Sequence, residues 1–274
     1  MKLTRFPLTH SNEIRIVHLR RSGGHAITNW IISNLPEGPV CYLNDVNNNY
    51  DNPENHKGYP RDACSSTPAL NHASINRKSR LDCAEHLVLS FEEATAMRWA
   101  TLDLDTGGPP PTIVWIFRDL VECFASRLAR ADNPSHANLK WVQDLVADRS
   151  PEGCPLLLHH FIETVALAPE GHVFIDYQLW NTSRSYRDGV ARKLGLGTAD
   201  KGKNEIPAWG MGSSFGEPPK AGQLRAPQYE DDPRMIHFKN ALLRVLPSYL
   251  DWYGLKTSAS LGLARPNTPR REKG

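Results

Sequence analysis

Between Ile14 and Trp30 the chain runs from a short β-rich segment, through two arginines and a Ser-Gly-Gly turn, into an apolar stretch with helical spacing. A strand that turns at once into a helix forces the intervening backbone to curl. Gly23 and Gly24 permit that curl, several N–H groups then face one point, and the following helix adds the positive end of its dipole. Arg21 at the lip supplies a permanent charge on a planar donor fork. Residues Arg21, Ser22, Gly23, Gly24, His25 and Ala26 therefore read as a cradle for a phosphate-like group. The loop lacks the Gly-Lys-Ser/Thr ending that serves nucleotide and magnesium in an ATP-hydrolysing loop.

A second segment narrows the reading. Pro111–Phe117 is apolar, follows two further prolines and has the length of a buried strand. It runs directly into Arg118-Asp119, after which Leu120, Val121, Phe124 and Leu128 recur with helical spacing. Arg118 is thus expected at the carboxyl end of a strand. Ser126, eight residues on, is expected about 12 Å further along the helix axis. A strand tip and the helix beside it are suited to gripping one phosphate.

The pairing of Arg-Ser-Gly-Gly after the first strand with Phe-Arg-Asp…Ser after a later one resembles sulfotransferases that use 3′-phosphoadenosine-5′-phosphosulfate (PAPS). The resemblance spans the order of elements from about residue 14 to 196, although its motifs occupy only some thirty residues. It implies a P-loop NTPase-like fold and transfer of a sulfonate group to a hydroxyl or amine of a small-molecule or carbohydrate acceptor, leaving adenosine 3′,5′-bisphosphate (PAP). By resemblance the first loop binds the 5′-phosphosulfate, while Arg118 and Ser126 bind the 3′-phosphate. Arg21 stands where the family usually has a lysine, and Gly24 and His25 replace its two threonines. Val173–Leu179 is similar to the family strand ending in Tyr-Glu-x-Leu, which assigns Tyr177 to the nucleotide site. A late glycine-rich or basic loop is expected to close that site, either Ser213, Ser214 and Phe215 or Lys201–Lys203.

Sulfuryl transfer needs a held donor, charge stabilisation at the leaving oxygen and a base for the acceptor. Arg21 suits the electrostatic role. For the base, Glu92 at a strand tip is favoured, with a raised pKa expected in an apolar pocket. Glu93 is next and His25 the main rival, and the sequence leaves the choice open. Arg20 is expected to pair with an acidic neighbour. No histidine or cysteine spacing suggests a metal site.

The remaining chain reads as strands alternating with helices. This predicts a three-layer α/β/α domain with a mainly parallel sheet over residues 1–263 and a disordered tail at 264–274. Residues 44–81, polar and irregular, are expected to form a lid or acceptor loop. Lys and Arg number 32 against 30 Asp and Glu, a net charge of +2, so nucleic acid is not an expected partner. There is no apolar run of membrane-spanning length, and a cytoplasmic enzyme without a membrane partner is expected. Two other classes stay open: a P-loop-class kinase using ATP, and a nucleotide-binding relative without catalysis.

Overall fold

The computed structural model describes residues 10–43, 85–92, 108–133, 172–203 and 224–245. Five strands form one sheet: β1 (Asn12–His18), β2 (Val40–Leu43), β3 (His86–Glu92), β4 (Thr112–Phe117) and β5 (Val173–Asp176). Their order is β2-β3-β1-β4-β5, with every neighbouring pair parallel. The helices are α1 (Gly24–Ser33), α2 (Leu120–Ala131), α3 (Tyr177–Thr182), α4 (Arg184–Leu194) and α5 (Pro233–Val245), with a 3-10 turn at Ala226–Tyr229. The α/β class expected from the sequence holds.

Every residue of β3 is buried, as a strand flanked on both sides in a parallel sheet requires. Along β1 the pleat sends Ile14 and Ile16 to a core shared with Ile27, Trp30 and Ile31 of α1, Trp180 of α3 and Tyr186 and Val190 of α4. Glu13 and Arg15 alternate with them and are also buried. They pair with each other, and His10 Nε2 lies 3.0 Å from the Glu13 carboxylate. A second cluster joins Phe124 and Leu128 of α2 to Met235, Phe238 and Leu242 of α5, with Leu19 and Phe117 packed against it. The Phe124 and Phe238 rings stack at 4.3 Å.

The order of the strands positions the site. Because β1 lies between β3 and β4, the loop leaving β1 has the tip of β3 on one side and the tip of β4 on the other. His18 is in register with Glu92 on β3 and with Ile116 on β4. The chain leaving β1 runs to β2 at one edge of the sheet and the chain leaving the neighbouring β4 runs to β5 at the other, and ligands of such sheets bind at the carboxyl ends of the strands at that divergence.

One detail differs from the sequence reading. The family resemblance places Tyr177 at the end of a strand, but the strand stops at Asp176, whose side chain accepts a hydrogen bond from Leu179 N at 2.9 Å and so caps α3. Lys201–Lys203 packs at the carboxyl end of α1, where Asn34 donates to the Lys201 carbonyl at 2.9 Å. Asp200, in the left-handed region at φ 54°, anchors this strap. It accepts from Trp30 Nε1 at 2.7 Å and from Arg187 Nε at 2.8 Å. Burial works against the ionised Asp200 carboxyl, yet Arg187, Trp30 and Arg184 hold it below its ordinary range. Asp200→Asn keeps a residue that tolerates this backbone and removes only the charge. It is expected to cost about 3 kcal/mol in urea denaturation at neutral pH. A carboxyl with a depressed pKa stabilises the fold above its unfolded pKa of about 4 and loses that contribution as pH falls. The gap between wild type and variant should therefore close in acid, and a pH-independent gap would contradict this account.

Candidate active site

The loop leaving β1 owes its shape to two glycines and one unusual arginine. Gly23 has φ 93° and Arg21 has φ 74°; both are left-handed, a conformation that costs an L-residue energy and is uncommon outside glycine. A Cβ on Gly23 would collide with the Tyr177 ring, and one on Gly24 with the His18 imidazole. Those two rings fill the space that side chains on the loop would need. They also explain why Gly24 stands where the resembling family has threonine.

Helices α2, α3 and α4 cap their amino ends with Asp119, Asp176 and Ser183, respectively. Helix α1 has no side-chain cap and no acidic residue in its first turn. Its leading N–H groups, with no intrahelical acceptor available, face outward under the positive end of the dipole. Ser22 is buried beside them, and its Oγ finds no hydrogen-bond partner among the described residues. Under the loop lies a cavity of about 20 Å³ bordered by His18, Ser22, Trp115, Arg118 and Cys123.

On the β4 side, arginines converge. Arg118 Nη1 donates to the Arg21 carbonyl at 3.0 Å, and its guanidinium lies 5.0 Å from the centre of the Tyr177 ring. Arg21 Nε donates to Ser126 Oγ at 3.2 Å. The family resemblance gives the Arg21 loop and the Arg118–Ser126 pair to two different anionic groups; the structure brings the two into direct contact. Glu122, Ser126 and Arg130 follow at four-residue intervals on α2 and share one face of it. Glu122 lies 3.6 Å from Arg118 Nη2 and accepts from the backbone N–H groups of Arg225 and Ala226 at 2.9 and 3.0 Å. That carboxylate seats Arg225 beside the cluster. Burial, then the charges of Arg130, Arg118 and Arg225, pull the Arg21 guanidinium down to about 10. Burial and Arg118 bring Arg225 to about 10 as well. Both stay charged at neutral pH, and their mutual repulsion favours an anion between them.

On the β3 side sits Glu92. Arg20 Nε donates to its Oε2 at 2.9 Å, and His25 Nε2 lies 2.7 Å from its Oε1. Arg20 thus finds the acidic partner expected of it. The raised Glu92 pKa expected from the sequence is corrected here. Burial does push it upward, but hydrogen bonding to His25 and the charges of His25, His18 and Arg20 outweigh that and hold the carboxyl well below its ordinary range.

The loop residues Arg21 to Ala26, together with Glu92, Arg118, Ser126 and Tyr177, are therefore brought together around the end of β1. Tyr177 serves as a platform against Gly23 and Arg118. Glu93, Ser213, Ser214, Phe215, the 44–81 segment and the tail lie outside the described residues. Trp180 is core. Arg130 and Arg225 were missed. The four-residue step from Ser126 was a legible signal for Arg130, whereas nothing local to Arg225 marks it. No group of three His, Cys, Asp or Glu among the described residues is placed to hold a metal. Nor is any described helix long and apolar enough to cross a membrane.

A solved structure of mouse sulfotransferase SULT7A1 complexed with PAP is similar to this chain, with a TM-score of 0.51 over 93% of this chain and 94% of that one. This chain has the sulfotransferase fold. Identity to that structure is 10%, so the likeness is one of architecture. Neither a family model nor a curated protein matches the sequence. Within the sulfotransferase fold, the end of β1 carries the glycine loop, the β4 tip carries Arg118 and the β3 tip carries Glu92.

Proposed function

We propose that the protein is a PAPS-dependent sulfotransferase that moves a sulfonate group to a hydroxyl or amine of a small-molecule or carbohydrate acceptor. The observation that carries this reading is the gathering of Arg118, Arg130 and Arg225 about Arg21, which itself donates to Ser126, with Glu122 as the acidic partner identified among them. So much buried positive charge calls for a multiply anionic ligand. Arg118 and Ser126, with Arg130 and Arg225, would hold the 3′-phosphate. Ser22, the amide groups of Gly23, Gly24 and Ala26, and His25 would hold the 5′-phosphosulfate at the amino end of α1. Arg21 would stabilise charge on the departing phosphate oxygen, an electrostatic role that requires no proton transfer.

A second reading, nucleotide binding without transfer, is favoured by the ion pairs that hold Glu92. Two measurements separate the possibilities. PAP at about 100 times its Kd should raise the melting temperature by roughly 5 °C or more, while ATP with magnesium should not. Stabilisation by ATP alone would favour the kinase class. Labelled sulfate should pass from PAPS to members of an acceptor panel; PAP binding with no transfer to any acceptor would favour the non-catalytic reading.

A further inference from the structure

We infer that Arg127 is a positioning residue for the glycine loop: its guanidinium holds the Arg20 carbonyl and so fixes the backbone turn that makes the loop concave toward an anion. The consequence for nucleotide affinity rests on the sulfotransferase reading above, whereas the backbone assignment stands apart from it.

Leu19 to Ser22 form a reverse turn closed by the Ser22 N–H, which donates to the Leu19 carbonyl at 3.1 Å. Arg21, at its third position, has φ 74°, and Arg20 is not among the residues of positive φ. That combination defines a type II turn, whose third position is normally glycine. Turning over the peptide between Arg20 and Arg21 gives a type I turn, which arginine adopts without strain. The two forms differ in where the Arg20 carbonyl points, so whatever grips that oxygen chooses between them.

Two groups on α2 grip it. Arg127 Nη2 donates at 3.2 Å and Cys123 Sγ at 3.5 Å. These residues are four apart and share a helix face, next to the face that carries Glu122, Ser126 and Arg130. Arg127 is only 1% exposed, and a charged donor outweighs a thiol, which makes it the principal anchor. The turn it selects sets Arg21 and Gly23 left-handed on either side of Ser22, which is not. Alternation of hand along a backbone brings successive N–H groups to face one point. A turned-over peptide would break the alternation at Arg21 and leave the cradle to Gly23 and α1 alone.

The test uses the full chain. In wild type, NMR with arginine labelling should show the strong Overhauser contact between Arg20 Hα and the Arg21 N–H that a type II turn produces. Arg127→Met should weaken that contact and lower PAP affinity by calorimetry about tenfold. Arg127→Lys, which keeps a charged donor, should recover part of both. In Arg21→Gly protein the left-handed φ needs no support, so adding Arg127→Met should cost PAP affinity no more than about twofold. Should Arg127→Met alone fail to fold, the double variant is expected to fold. Three results would each overturn the assignment and leave the functional reading intact. They are an undiminished Overhauser contact in Arg127→Met, an equal loss of affinity in both backgrounds, as a direct phosphate contact would give, and a double variant that also fails to fold. Wild-type protein that neither binds PAP nor transfers sulfate would overturn the functional reading, and the Overhauser comparison would still decide the turn.

Discussion

Replacing Arg118 with alanine is expected to weaken PAP binding about 100-fold, measured by calorimetry at fixed salt. Arg118 stands at the tip of β4, donates to the Arg21 carbonyl at 3.0 Å and lies over Tyr177. Its Nε is buried without a hydrogen-bond partner among the described residues. A charge-assisted hydrogen bond to phosphate is worth about 1.5–3 kcal/mol, and 1.4 kcal/mol is tenfold in affinity. Losing the contact and the loop support together places the effect near the upper end. Arg118→Lys should rescue little, because an ammonium cannot reproduce the fork that spans the loop carbonyl and a ligand. PAP affinity within threefold of wild type in the alanine variant would remove Arg118 from the nucleotide site.

Gly23→Ala should be the most damaging single methyl group in the described chain. The backbone there has φ 93°, where alanine costs about 1–2 kcal/mol. The added Cβ would also collide with the Tyr177 ring. That ring cannot easily retreat, because it stacks on Trp180 at 6.0 Å and has the Arg118 guanidinium 5.0 Å from its centre. A total of about 3 kcal/mol is expected, lowering the melting temperature by roughly 6–12 °C. Gly189→Ala is a suitable control, since its Cβ would meet little. Equal melting temperatures for Gly23→Ala and wild type would contradict the left-handed turn.

Much of the fold was legible because its strands are short apolar runs that pass straight into helices of regular spacing. Val40–Leu43 is one such short run, and the helix whose apolar spacing starts at Leu120 begins there, with Asp119 as its cap. Gly195 ends α4 in the left-handed region at φ 65°, where glycine is the usual residue. Tyr177 opens a helix rather than ending a strand because the Asp176 side chain caps it there, a feature the family resemblance does not carry. The loop and Arg118 were legible because their chemistry is contiguous in the chain. Arg225 was not, because its place depends on Glu122, 103 residues away, accepting its backbone N–H. The sense of the Glu92 pKa shift failed for the same reason. His18, Arg20 and His25 reach it from another strand, loop and helix, and no local pattern around residue 92 announces them.

The central place of β1 has a further consequence. Groups that would grip the nucleotide approach the loop from its β4 flank, and groups that would meet the acceptor approach from its β3 flank. Under the sulfotransferase reading, donor affinity and acceptor chemistry are thereby assigned to separate sides of one strand. A lineage with this scaffold is free to exchange one clientele for another at the β3 margin while inheriting its sulfate currency unchanged.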